Sequence, residues 1–196
     1  MSRISALSRS TKETRIEVSL DLDGDGMTET STGLPFFDHM LDQLGRHGGL
    51  GLTVRARGDL AVDAHHTVED TGIILGEAFR EALGDKAGVR RFASITVPLD
   101  EAAVEVVLDL SGRPFLHYDV DFPGEKILGD PPFDPQLAEE FWRAFATAAA
   151  ITLHIVMRRG RNTHHIVEAS FKGLARAIRD AVRVEGSTLP STKGTL

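Results

Sequence analysis

Ala64-His65-His66-Thr67-Val68-Glu69 and Thr163-His164-His165-Ile166-Val167-Glu168 are two copies of one phrase. Each opens a run with helical apolar spacing: Val68, Ile73, Leu75, Phe79 and Leu83 after the first, Val167, Phe171, Leu174, Ile178 and Val182 after the second. Both phrases are therefore expected in the first turn of a helix. There His65 and Glu69 stand at i and i+4 and share a face, as do His164 and Glu168, while the neighbouring imidazole points about 100° away. Adjacent histidines cannot easily serve one metal from one helix. The economical solution is two metals, each held by a His and Glu pair from one helix and the odd imidazole of the other. Such mixed nitrogen and oxygen donors suit Mn, Fe, Zn, Co or Ni better than Ca or Mg. A single His-His-x-x-Glu could be a surface cap whose Glu answers the helix dipole. Two copies in equivalent settings, using four of the eight histidines, favour a metal site.

Composition bounds the rest. At 196 residues and 41% hydrophobic, the chain can bury a proper core, as one domain or as two fused half-domains. A net charge of -7 argues against a nucleic-acid partner but leaves room for a small anion where basic residues converge. The absence of cysteine removes thiolate chemistry and disulfides and fits a reducing cytosol. Met1 to Thr14 has no signal-peptide core, and no run approaches the ~18 apolar residues of a membrane span, so a soluble cytoplasmic protein is expected.

Around the two phrases the elements fall into a repeated order. Thr14 to Leu22 alternates as a half-buried strand, preceded by a polar stretch with Arg9, Lys12, Glu13 and Arg15 that reads as a plain N-terminal tail. Asp23-Gly24-Asp25-Gly26 reads as a hairpin turn; its likeness to a calcium loop fails at Thr32, where a bidentate Glu belongs. A helix from Leu34, stopping at Gly45 to Gly49, carries His39. Strands are expected at Leu50–Arg57 and Leu60–Asp63, then the first His-His helix to about Gly84. Further strands follow at Val89–Phe92, Ile95–Pro98, Ala102–Leu110 and Phe115–Val120, with Ser111-Gly112-Arg113-Pro114 as a tight turn. Phe122 to Pro135, rich in Pro and Gly, is a loop long enough to lie at an interface or over a site. Gln136–Ala150 is a helix and Ile151–Met157 a strand, and then comes the second His-His helix. Helix, strand and His-His helix thus occur twice, an internal duplication. His39 precedes His65 by nearly the interval at which Glu140 precedes His164, so both become candidate third ligands. The Val184–Gly194 tail reads as a frayed terminus or as an anion clasp of hydroxyls, amides and Lys193.

Several stretches together are more specific: Lys12-Glu13-Thr14, Phe36-Phe37-Asp38-His39-Met40-Leu41, Arg46-His47-Gly48-Gly49, His65 to Asp70, Ser111 to Pro114, His164-His165 through Lys172, and Pro190-Ser191-Thr192-Lys193-Gly194. With them the chain resembles, over nearly its whole length, the imidazoleglycerol-phosphate dehydratases of histidine biosynthesis. The resemblance implies an α+β fold of ribosomal-protein-S5-domain-2-like type, with helices packed between mixed or antiparallel sheets. Residues 1–196 would form a single domain of two duplicated halves, about 1–90 and 91–196. It implies a homo-oligomer of 24 subunits with shared active sites and two Mn2+ per site. One ion would take His65, Glu69 and His165, the other His39, His66, His164 and Glu168. The family pattern has a histidine completing the first set where this chain has Glu140, and a carboxylate can also ligate Mn.

The implied reaction is dehydration of imidazole glycerol phosphate to imidazole acetol phosphate. The hydrogen removed is not next to a carbonyl, so the ring must take the electrons. A metal-bound imidazolate expels the hydroxyl through a diazafulvene-like intermediate. Glu13 is the matched proton shuttle. Gln43, His47 and Lys172 match substrate-contact positions, and Arg91, Arg113, Ser191, Thr192 and Lys193 match the phosphate site. The rival readings are a dinuclear metallohydrolase, which lacks its usual aspartate-rich ligand set here, and a metal-storage or sensing protein. Charge reversal at Arg113 separates them: storage is indifferent to it, whereas dehydration of a phosphate ester is lost.

Overall fold

The computed structural model describes residues 3–124 and 127–196. Strand β2 (Thr14–Asp21) buries Ile16, Val18 and Leu20 on one face, as its alternation requires. The polar stretch before it is not a tail. It forms β1 (Ile4–Ser10), paired antiparallel with β2 from Ile4↔Asp21 to Ser10↔Arg15. Backbone pairing, the bond of Arg9 to Asp70 at 3.0 Å and the packing of Leu7 on the core tie it down.

The Asp-Gly turn does not close a hairpin. β3 (Thr28–Ser31) passes over the end of β4 (Gly51–Gly58) and pairs with it in parallel, while β4 inserts beside β2, giving the order β1-β2-β4-β3. Asp21 and Asp25 accept backbone N–H groups from Asp23 and Met27 at 2.9 and 3.1 Å, and a Cβ on Gly24 would stand 2.1 Å from Gly51 N. The small, turn-forming residues thus serve a backbone crossing. Helix α1 (Pro35–Gly48) joins β3 to β4 and runs on through Gly45, ending at Gly49 in the left-handed region. Gly45 is internal because a Cβ there would sit 2.3 Å from Thr28 Cγ2; the gap lets α1 lie on β3. Leu60 to Asp63 is a turn, not a strand, and leads into α2 (His65–Leu83).

The second half repeats the plan with β5 (Phe92–Leu99), β6 (Ala102–Asp109), β7 (Phe115–Asp119), α3 (Gln136–Ala149), β8 (Thr152–Arg159) and α4 (Thr163–Ala181), in the sheet order β5-β6-β8-β7. The four helices are sandwiched between the two sheets, and each packs across the halves, α1 on α4 and α2 on α3. Both pairs run parallel: Gly72 meets Phe141 and Gly76 meets Phe145, while His39 meets Glu168 and Gly48 meets Ala175. The seam is filled by Phe37, Phe79, Phe141, Trp142, Phe145 and Phe171, all at most 1% exposed. No helix of the described residues is long and apolar enough to cross a membrane.

Gly76 sets the α2–α3 spacing, since a Cβ there would approach Phe145 O to 2.6 Å and Ala149 N to 3.0 Å. Backbone cannot yield as a side-chain tip can. Gly76→Ala is expected to destabilise by about 1–3 kcal/mol from overpacking, outweighing the ~1 kcal/mol gain in helix propensity. Chemical denaturation of parent and variant measures the difference.

Candidate functional site

The two parallel helix pairs bring the helix starts together. Asn162 caps α4, its side chain accepting the His165 N–H at 3.3 Å, which sets the first turn that carries His164. Glu168 follows one turn later, and His164 Nε2 lies 2.9 Å from its Oε2. His39, one turn into α1, brings its own Nε2 to 3.1 Å from the same oxygen. His39, His164 and Glu168 offer donor atoms all within 4.8 Å of one another, and among the described residues they are the one group of three metal-type donors. Glu168 Oε1 is taken by Lys172, again i+4 on α4. Burial pushes the Glu168 carboxyl up, but the bonds from Lys172, His164 and His39 outweigh it and hold the group at about 2.

The row extends along α1. Gln43 Nε2 lies 3.4 Å from His39 Nδ1, and Gln43 Oε1 lies 3.1 Å from His47 Nε2, all at i+4 spacing. Burial lowers the pKa of His47, and the Lys172 charge lowers it further. Gln43, His47 and Lys172 thus stand beside the three donors.

The remaining candidates lie elsewhere on the single chain. His65 Nε2 is 4.0 Å from Glu69 Oε2. His65 and Glu140 line one cleft with Ile127, Pro132 and Leu137, so the Phe122–Pro135 loop does lie over candidate site residues. Glu140 is one turn into α3, as His39 is into α1, and its carboxylate touches Arg143 of its own helix only at 3.8 Å. His66 lies by Asp59, at 3.0 and 3.2 Å from its two oxygens, with Glu13 at 3.9 Å; His165 lies 2.7 Å from Glu101. Neither joins the His39 group within the chain: His165 diverges by about 100° from its neighbour His164, and His66, expected in that set, stands on α2 against Asp59 instead.

The C-terminal segment is not frayed. Gly88 exchanges backbone bonds with Glu185 and Thr188, and Arg91 Nη1 donates to Pro190 O at 2.7 Å while its Nε and Nη2 grip Asp109. Leu196 closes against Gly112, where a Cβ would stand 2.4 Å from its carbonyl carbon. Ser191, Thr192 and Lys193 therefore arch between Arg91 and the Ser111–Pro114 turn. Ser191 Oγ donates to Thr195 O at 2.8 Å and accepts the Lys193 N–H at 3.2 Å. Arg113 is anchored only loosely, by Ser111 O at 3.3 Å and Asp109 at 4.0 Å, and is 64% exposed.

Sequence reasoning passed over Asp59, Glu101 and Asp109. Each is one carboxylate in a turn or strand end with no fixed spacing to its partner; only Asp109, two residues before the Ser111 turn, carried a local hint.

The family model described as imidazoleglycerol-phosphate dehydratase matches residues 32–178. The imidazoleglycerol-phosphate dehydratase of Anaeromyxobacter sp. (strain K) is 57% identical over 195 residues, covering 99% of this chain and 92% of that one. That of Paracoccus denitrificans (strain Pd 1222) is 53% identical over 197 residues, covering 99% and 100%. Among solved structures, the Staphylococcus aureus subsp. aureus N315 dehydratase matches with a TM-score of 0.81 at 36% identity, covering 91% of this chain and 97% of that one. The Pyrococcus furiosus protein, crystallised in complex with (S)-C348, matches with 0.83 at 38%, covering 97% and 100%.

Proposed function

The chain belongs to the imidazoleglycerol-phosphate dehydratase family, and from that premise we propose a metal-dependent dehydration of imidazole glycerol phosphate to imidazole acetol phosphate, in the cytoplasm, as a hydro-lyase step of histidine biosynthesis. One observation carries the metal-dependent reading: two imidazole nitrogens and a carboxylate oxygen from two helices converge within 4.8 Å, beside an ammonium, an amide and a third imidazole. This donor chemistry fits a divalent transition metal. His39, His164 and Glu168, joined by His66, would hold one ion; His65, Glu69 and His165 with Glu140 would hold the other. Manganese is the metal of this reading, two ions per site. That His66 and His165 stand apart from the His39 group within one chain supports sets completed between subunits of a homo-oligomer, and 24 chains is the assembly of this reading.

When bound, the metal supplies Lewis acidity that makes the substrate's ring N–H easier to remove. The chain's residues do the rest. Gln43, His47 and Lys172 orient the ring and the two hydroxyls. The hydroxyl beside the ring leaves with a proton as water, the ring supplying the electrons. Glu13 takes the proton from the inner carbinol carbon, thereby made acidic, and the enol left behind becomes the ketone when a proton returns to the carbon beside the ring. Arg91, held in place by Asp109 and Pro190, meets the phosphate together with Arg113, Ser191, Thr192 and Lys193.

Arg113→Ala is expected to raise KM by about 10- to 100-fold, the worth of a charge-assisted bond of roughly 1.5–3 kcal/mol, with little change in kcat. Steady-state kinetics reads both. The reaction itself is tested with metal-stripped protein resupplied with Mn2+, following the ketone product. Turnover that returns with manganese supports the reading; two bound ions without turnover would move the function toward the metallohydrolase or metal-storage readings.

A further inference from the structure

The second histidine of each phrase is held in one way by parts of the chain that the duplication does not relate. His66 Nδ1 faces both oxygens of Asp59, which lies in the connection between β4 and α2 and is itself fixed by its N–H to Glu13 O at 3.1 Å. His165 Nδ1 faces Glu101 Oε2, which comes from the β5–β6 turn on the other side of its half. The other Glu101 oxygen takes the backbone N–H groups of Arg161 and Asn162 at 3.0 and 2.7 Å, so the carboxylate docks on the turn that starts α4. The counterpart of Glu101 in the first half is Glu13, which precedes β2 as Glu101 precedes β6; Glu13 reaches His66 Nδ1 only to 3.9 Å, and Asp59 makes the close contact in its place. His39 and His164, by contrast, present Nε2 to Glu168.

We propose that Asp59 and Glu101 are positioning residues of the metal centre: each accepts the Nδ1–H of its histidine, fixes that tautomer, and leaves the Nε2 lone pair of His66 or His165 aimed outward as a metal donor. The physical basis is that a carboxylate on the far ring nitrogen orients the imidazole and raises its basicity toward metal. Both rings remain partly exposed, and the carboxylate nearest His165 Nε2 in its own half, that of exposed Asp100, stands off at 3.9 Å, beyond hydrogen-bond reach, so the Nε2 edge can be reached. The inference rests on the reading of His66 and His165 as ligands.

The test titrates Mn2+ into the metal-stripped full-length protein, following the free aquo-ion by electron paramagnetic resonance, for Asp59→Asn, Glu101→Gln, His66→Ala and His165→Ala. The amide variants keep shape, and they can donate to Nδ1 and hold the ring in the other tautomer. Each amide variant is expected to weaken Mn2+ binding about 10- to 100-fold, with unchanged thermal unfolding of the metal-free protein. Parent-like binding in both amide variants, with binding lost in the histidine variants, would overturn the positioning role and leave the ligands standing. Parent-like binding in the histidine variants would overturn the ligand reading and this inference with it. A binding loss matched by an equal loss of metal-free stability would make Asp59 and Glu101 merely structural and also overturn it.

Discussion

Glu168→Gln is expected to bring turnover of imidazole glycerol phosphate to background and to cost more Mn2+ affinity than the about 10- to 100-fold that follows loss of an outer partner. The carboxylate meets three partners at once: His39 and His164 on one oxygen and the Lys172 ammonium on the other. A carboxamide has one acceptor oxygen and an NH2 group. If its oxygen faces the histidine side, the NH2 faces Lys172; if it turns round, the NH2 occupies the place where two Nε2 atoms and a metal would converge. The first arrangement sets a donor against the Lys172 ammonium; the second puts an NH2 group where the metal needs an oxygen. Either way the charge-assisted bonds of a largely buried carboxylate are lost, and the metal-free fold should lose about 1–3 kcal/mol. Elemental analysis, steady-state rates and chemical denaturation measure the three effects. Full metal occupancy with parental turnover would remove Glu168 from the site.

Glu13→Gln is expected to lower kcat by about 10²- to 10⁴-fold, the usual contribution of a positioned acid–base group, while leaving KM and Mn2+ binding near parental values. The backbone of Glu13 is fixed: its N–H donates to Thr11 Oγ1 at 3.1 Å and its carbonyl accepts from Asp59 N–H at 3.1 Å. Its side chain is half exposed, and its carboxylate approaches His66 only to 3.9 Å. A group anchored at the root and free at the tip can follow a proton between two carbons. A primary isotope effect on kcat with substrate deuterated at the inner carbinol carbon, larger in the variant than in the parent, would tie the effect to proton transfer. An unaltered kcat would assign the shuttle to another group.

Legibility followed the range of the interaction. The His-His helices, α1, α3 and most strands could be read because apolar period and cap chemistry act within a few residues. The pairing of His164 with Glu168 was legible for the same reason, being an i,i+4 contact, and His39 was reached through the repeat. What failed was non-local. β1 has too little apolar alternation to announce itself and is a strand because β2 lies beside it. The Asp23–Gly26 turn has hairpin composition, yet which strand lies next to β2 was decided by the α1 crossover. Gly45 looked like a stop because the residue that needs its missing Cβ, Thr28, is far along the chain. The C-terminal segment was ordered by Arg91 and Gly112, and the carboxylates on His66 and His165 arrive from turns.

The parallel pairing of α1 with α4 and α2 with α3 is the packing that two identical half-length chains would make around a twofold axis, first helix of one on second helix of the other. Such a pair is obliged to carry the same side chain at both equivalent places. Joined end to end, the two halves are released from that obligation and can be altered one at a time. The chain uses that freedom at one point that matters: one turn into α1 it has His39, and one turn into α3 it has Glu140. Under the proposed ligand sets, a single substitution at that place changes the donor at one end of the molecule while its mirror position keeps its imidazole.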